Sequence, residues 1–339
     1  MKQYSVGYFR KVCKTLQACS ILYLAYLTAF THPIHCVEEG PLPEYIVSPY
    51  TEQTLQFFSR NRHVYYANML ETVDVGDQTH IVKKQRCLIE IFLPEHSLDS
   101  VPECFVPGLE FTKLVISLAT YTQRNRFDHA TLSKILSAFG PIYADFLGLC
   151  TLDVVDSEEA LSPAHDLALA AQRVSQEHQS TGALENTPPA LTHTINTKML
   201  KITGVSLPTI GWLKKHLDMS QSRIDLVIDG QMRLANLEIL DGLQVSSIEN
   251  IQLSQFRRLD SLECKLFREG HMPKTLTIDN FYSDTPTEIS ELTRTNLANN
   301  HWELLWLPGQ IWRELMRPTG TVKHLVADHL AIDVGECVD

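Results

Sequence analysis

Three short stretches, Asp225 to Asp229, Asn250 to Ser254 and Thr275 to Asp279, place matching side chains at every second position and recur at an interval of 25 residues. Their members Asp225, Val227, Asp229, Asn250, Gln252, Ser254, Thr275, Thr277 and Asp279 are polar at eight of nine positions. The chemistry open to such a set is non-covalent: carboxylates, amides and hydroxyls that exchange hydrogen bonds with a partner. Alternate residues of a strand face opposite sides. As strands, these stretches put the nine on one face and Leu226, Ile228, Ile251, Leu253, Leu276 and Ile278 on the other. The nine are the expected partner-binding residues.

Groups suited to making and breaking bonds are scattered by comparison. Asp128-His129 and His324-x-x-x-Asp328-His329 place histidine beside a carboxylate. His324 and Asp328, at i and i+4, would share a helix face. One face offers a metal too few ligands, and no metal site is expected. No G-x-S-x-G elbow and no cysteine in a protease context marks a nucleophile. Neither G-x-x-x-x-G-K-[ST] nor G-x-G-x-x-G marks a phosphate cradle. No cofactor is expected, and the chain reads as a non-enzyme. The alternative is a secreted hydrolase whose triad comes from residues distant in sequence.

The nine residues need elements to position them. A fixed period between 20 and 50 residues is the signature of a solenoid, and a second series, Leu234-x-x-Leu237-x-Ile239 against Leu259-x-x-Leu262-x-Cys264, keeps the same interval. Lys198-Met-Leu-Lys-Ile-Thr-Gly reads as a strand ending at a glycine turn, and Leu207 to Leu217 as a helix with proline in its first turn. Trp302-Glu-Leu-Leu-Trp-Leu307 supplies a further turn, so strands are expected near residues 200, 226, 251, 276 and 304. The expected fold class is α/β, with a leucine-rich-repeat-like β/α solenoid over 198–317. The tail, 318–339, reads as a terminal cap or a frayed end. Trp302, Trp306 and Trp312 crowd one segment and read first as core, second as a contact patch.

Upstream, 153–197 is rich in serine, threonine and acids, carries Pro188-Pro189 and reads as a linker. Residues 37–152 are expected to form a mostly helical domain. Apolar residues recur at helical spacing from Thr51 to Tyr66, and Leu109 to Tyr121 and Ala130 to Leu149 read as helices, the last with Asp128 as N-cap. Cys87 to Leu93 is open between a strand and a helical turn.

Lys2, Arg10, Lys11 and Lys14 precede an apolar run from Leu16 to Phe30, the layout of a secretory signal peptide over 1–31. A retained signal anchor over 15–37 is the alternative, and only then is a membrane a partner. The formal net charge is −11, and the body without its leader is more acidic still. Such a body repels phosphate backbones, so nucleic acid is not an expected partner. Six cysteines lie beyond the leader, Cys36, Cys87, Cys104, Cys150, Cys264 and Cys337. An exported body permits disulfides, and Cys87 with Cys104 is the preferred pair because the two flank a short segment.

With a leader, a helical first half, and then KMLKITGVSLPTIGWLKKHLDMSQSRIDLVIDGQ and LEILDGL, the chain resembles secreted leucine-rich-repeat-like proteins expanded in microsporidia. The resemblance covers about Lys198 to Arg317. It implies export toward a host cell, a protein partner there, and no catalytic role. At the place where a standard repeat carries asparagine after its strand, this chain has Asp229, Gln255/Phe256 and Asn280, a departure from the regular horseshoe.

Overall fold

In the computed structural model, residues 42–59, 70–118, 128–150, 192–204, 207–229, 236–256, 259–269, 271–279, 286–317 and 325–333 are described. The leader or anchor region, His324, and 153–191 of the expected linker lie outside them. No described helix is long and apolar enough to cross a membrane.

Alternation of apolar and polar residues does most of the folding work. Among the described residues nine strands form one parallel sheet: β4 (Lys84–Phe92), β5 (Glu110–Ser117), β6 (Ile142–Cys150), β7 (His193–Thr203), β8 (Leu217–Asp229), β9 (Gln244–Ser254), β10 (Thr275–Asp279), β11 (His301–Pro308) and β12 (Val326–Asp333). Each lies beside its predecessor in the chain, so the sheet is built in sequence order. Leu200, Leu226, Ile251, Leu276 and Leu305 stand in one ladder row across β7 to β11, each 1 % exposed. Ile89, Leu114 and Leu147 carry that row back to β4, each fully buried. A parallel row follows two residues on, through Ile91, Ile116, Leu149, Ile202, Ile228, Leu253 and Ile278. Burial of each such side chain stabilises the fold by about 1.5–3 kcal/mol before conformational entropy is charged against it.

Parallel neighbours need a crossover, and the helices supply most of them. α2 (His129–Phe139) joins β5 to β6, α3 (Leu207–His216) β7 to β8, α4 (Lys265–Glu269) β9 to β10, α5 (Glu291–Asn299) β10 to β11, and α6 (Gly309–Leu315) β11 to β12. Their buried residues, among them Leu132, Leu213, Phe267, Leu297 and Ile311, join the same core as the inner rows. Two helices start at capping side chains: Asp128 accepts from the Thr131 N–H at 3.0 Å and Ser290 from the Thr293 N–H at 3.2 Å. Outside these strands, bridges Asn236–Ser261 and Ser261–Glu288 form a second short parallel ladder. Beside it Leu237, Leu259, Leu262 and Cys264 of the second apolar series are buried.

Ahead of the sheet, α1 (Thr51–Ser59) occupies the first part of the helix expected from Thr51. A small antiparallel sheet pairs β1 (Tyr45–Ile46) and β2 (Thr72–Val75) with β3 (Gln78–Val82). Three expectations need correction. The described residues between 42 and 150 are not mostly helical, because their two α-helices are outnumbered by six strands. Leu109 to Tyr121 contains strand β5, and Ala130 to Leu149 is helical only to Phe139 before it becomes β6. The cause is a break in alternation. Between buried Phe111 and Leu114, and again between buried Ala144 and Leu147, two successive residues face outward. Apolar side chains three apart then imitate one face of a helix.

The tail also departs from a frayed end, since 326–333 is the ninth strand of the sheet. Asp328 and His329 therefore lie on a strand and not on the helix that an i, i+4 metal grip requires. β7 begins at His193, inside the expected linker, and pairs directly with β6. Glu44–Asp339 forms one compact unit.

Candidate functional site

The register brings all nine expected partner-binding residues onto one patch. Asp225, Asn250 and Thr275 are ladder neighbours, as are Val227, Gln252 and Thr277, and Asp229, Ser254 and Asp279. Side-chain bonds run along these rows across the strands. Asn250 Nδ2 donates to Asp225 Oδ1 at 2.6 Å, and Thr275 Oγ1 donates to Asn250 Oδ1 at 2.8 Å. Ser254 Oγ donates to Asp229 Oδ1 at 3.1 Å, and the Lys201 ammonium lies 2.9 Å from Asp229 Oδ2. Gln252 Nε2 reaches Asp279 Oδ2 at 3.4 Å, while Asp279 Oδ1 is buried without a hydrogen-bond partner among the described residues. These bonds hold the side chains in place, so a ligand meets them with little left to order.

The same three rows continue where the sequence reading did not follow them. Toward the carboxyl end two of them reach Leu304 and Trp306 of β11. Trp306, ladder neighbour of Thr277, is 42 % exposed, whereas Trp302 is fully buried and donates its indole N–H to the Leu297 carbonyl at 2.8 Å. The tryptophan segment thus divides between core and surface. The sequence reading centred the fifth turn on residue 304, but Leu305 is the neighbour of Leu276. That one-residue slip exchanges inside for outside, and it hid Trp306 from the face.

Toward the amino end the rows become more apolar. The Lys113 ammonium sits 4.8 Å from the centre of the Phe146 ring, a cation–π contact. The ring lies over Gly148: an added Cβ there would stand 3.0 Å from Phe146 Cε1 and 3.2 Å from Val115 Cγ2. Farther along, Ser117 Oγ donates to Glu90 Oε1 at 2.6 Å and lies 3.3 Å from Cys150 Sγ. Burial pushes the Cys150 thiol up from its ordinary value, with the Ser117 hydrogen bond opposing. A thiol held in that direction is a poor nucleophile. Cys264, inside the core, is pushed up to about 12 by burial. Cys104 is a free thiol; the side chain of Cys87, its expected partner, lies outside the described residues.

A charged row runs along the strand starts. Lys198 pairs with Asp145 at 2.9 Å, Lys274 with Glu249 at 2.8 Å, and His301 with Asp328 at 3.2 Å. The Lys198 hydrogen bond lowers the Asp145 carboxyl, and the Lys274 hydrogen bond lowers that of Glu249. A shallow groove of about 430 Å³ opens there, between Lys84, Tyr143, Lys198 and Arg223. Beside it β8 bulges, and there Ser222 Oγ accepts from the Thr197 N–H at 3.1 Å and donates to the Ile195 carbonyl at 3.3 Å. Behind the sheet, Trp212 of α3 stacks on His216 at 4.6 Å and meets His129 and His193 at 5.7 and 6.4 Å. Burial lowers both His129 and His193, and the neighbouring His216 adds to each shift.

The outward rows can exchange hydrogen bonds, pair with charge and stack on an indole. Among the described residues no group of three metal-ligating side chains gathers. No protein-family model, curated protein or solved structure matches this chain.

Proposed function

We propose that this chain is an exported, non-catalytic protein-interaction module: an irregular leucine-rich-repeat-like solenoid that holds a protein partner on its exposed strand face. The observation that carries the reading is the in-register polar patch of β8 to β10, bordered by the half-exposed indole of Trp306. A stacked strand face is where solenoids engage partners, and exposed tryptophans are frequent anchors. Export rests on the leader over 1–31, and a host protein as partner follows from the microsporidian resemblance.

The test is affinity capture with the chain, identification of a partner, and dissociation constants for the purified pair. Trp306→Ala and Gln252→Arg should each weaken binding roughly tenfold or more, the cost of about 1.4 kcal/mol per decade expected for an interface anchor. Lys215→Glu, exposed on α3, should change nothing. A partner indifferent to both face variants would overturn the proposal.

A further inference from the structure

Among the described residues, β12 is the last strand of the sheet and has a neighbour on one side only. The inner row that is sealed everywhere else is open here: Leu330 is 46 % exposed, while Leu305, its neighbour in register on β11, is 1 % exposed. Proteins usually blunt such an edge with lysine or proline. Val326-Ala-Asp-His-Leu-Ala-Ile-Asp333 contains no lysine, arginine or proline. Its only acids are Asp328 and Asp333, and an edge without lysine or proline that leaves a core residue uncovered can receive another strand.

We propose that the occupant is the same edge of a second copy of this chain, paired antiparallel about a two-fold axis at Ala331. In that register Leu330 of each copy stands opposite Ile332 of the other, and His329 opposite Asp333. Opposed residues of an antiparallel pair share a face. Leu330 and Ile332 both continue the inner rows of Leu305 and Leu307, whereas His329, Ala331 and Asp333 continue the outward rows of Leu304, Trp306 and Pro308. Apolar therefore meets apolar on the core side, and an imidazole meets a carboxylate on the other, twice over.

Two neighbouring registers fail. A slip of one residue sets Leu330 against an outward side chain. Moving the axis to Leu330 sets Asp328, which faces His301 of its own sheet, against Ile332. The small Ala331 side chain is what an axis position requires, since it meets itself. This interface uses the edge of the sheet and not its face, so it stands independently of the partner reading. It would carry the outward rows across both copies, with one Trp306 on either side of the seam.

Light scattering on the full chain should give twice the 38.4 kDa of one copy. Leu330→Lys should abolish the dimer without lowering the thermal midpoint of the monomer, and His329→Asp should weaken it by setting acid against acid. Ala331→Cys should form a reducible cross-linked dimer, because opposed Cα atoms about 4.5–5.5 Å apart are within disulfide reach. Ser220→Cys, exposed on β8, should not do so beyond the wild-type background. A chain monomeric at every concentration, a dimer untouched by Leu330→Lys, or equal cross-linking at 220 and 331 would each overturn the proposal.

Discussion

Asn250→Asp probes the ladder at the centre of the face. The wild-type amide donates to Asp225 Oδ1 at 2.6 Å and accepts from Thr275 Oγ1 at 2.8 Å. An ionised carboxylate at 250 keeps the second bond, loses the first, and puts like charge where a donor stood. Losing a hydrogen bond to a charged group costs about 1.5–3 kcal/mol, and repulsion at a half-buried site adds to it, so a deficit of about 2–3 kcal/mol is expected at pH 7.5. At low pH the new pair shares a proton, which restores a donor. The sign follows from linkage: the new carboxyl holds its proton more tightly folded than unfolded, so its folded pKa is raised. Its stabilising share is present below the unfolded value of about 3.9 and lost as pH rises through the raised value. Urea unfolding of variant and wild type at pH 4.5 and 7.5 should show a deficit that shrinks at the lower pH. Asn250→Ala should show one that does not change. Equal deficits for Asn250→Asp at both values would mean that residues 225 and 250 are not neighbours.

Trp302→Phe should destabilise by about 2–4 kcal/mol, since it opens a cavity and strands the Leu297 carbonyl, whereas Trp306→Ala should cost less than about 1 kcal/mol; thermal melts compare them. Left-handed backbone at Gly204 (φ 64) and Gln255 (φ 59) ends β7 and β9, so Gly204→Ala should destabilise by about 1–2 kcal/mol while Gln255→Gly is neutral or stabilising. His129 and His193 are lowered from 6.5 mainly by burial. The unfolded chain therefore binds their protons first, and stability should fall as pH drops from 7 to 5. His193→Gln should flatten that decline in melts across the range, and an unchanged slope would remove His193 as its source.

How much was legible depended on how regular each turn is. β8, β9 and β10 were readable because Leu226, Ile251 and Leu276 keep an interval of 25. The same interval separates Ile89 from Leu114 and Leu305 from Leu330. Those turns went unseen because they are flanked by intervals of 33 and 29, and the step from Leu147 to Leu200 is 53. The outward pair in each strand, such as Thr112-Lys113, supplied a helical spacing where the backbone is extended. The patch itself was legible from side-chain type and parity. Its continuation to Trp306 was not, because the step lengthens from 25 to 29 residues and buried Trp302 and Leu305 stand three apart, so alternation counted from Trp302 puts Trp306 inside. Contacts such as Lys113 on Phe146 and the cluster around Trp212 join segments far apart in the chain, and spacing carries no trace of them.

The most direct test of the strand face as the binding surface is hydroxyl-radical footprinting of the chain with and without its captured partner. Trp306, and Met199 in the row of Asp225, should be protected in the complex, while Leu292, exposed on α5 at 55 %, should be modified equally in both. Protection at Leu292 with Trp306 unchanged would contradict the account.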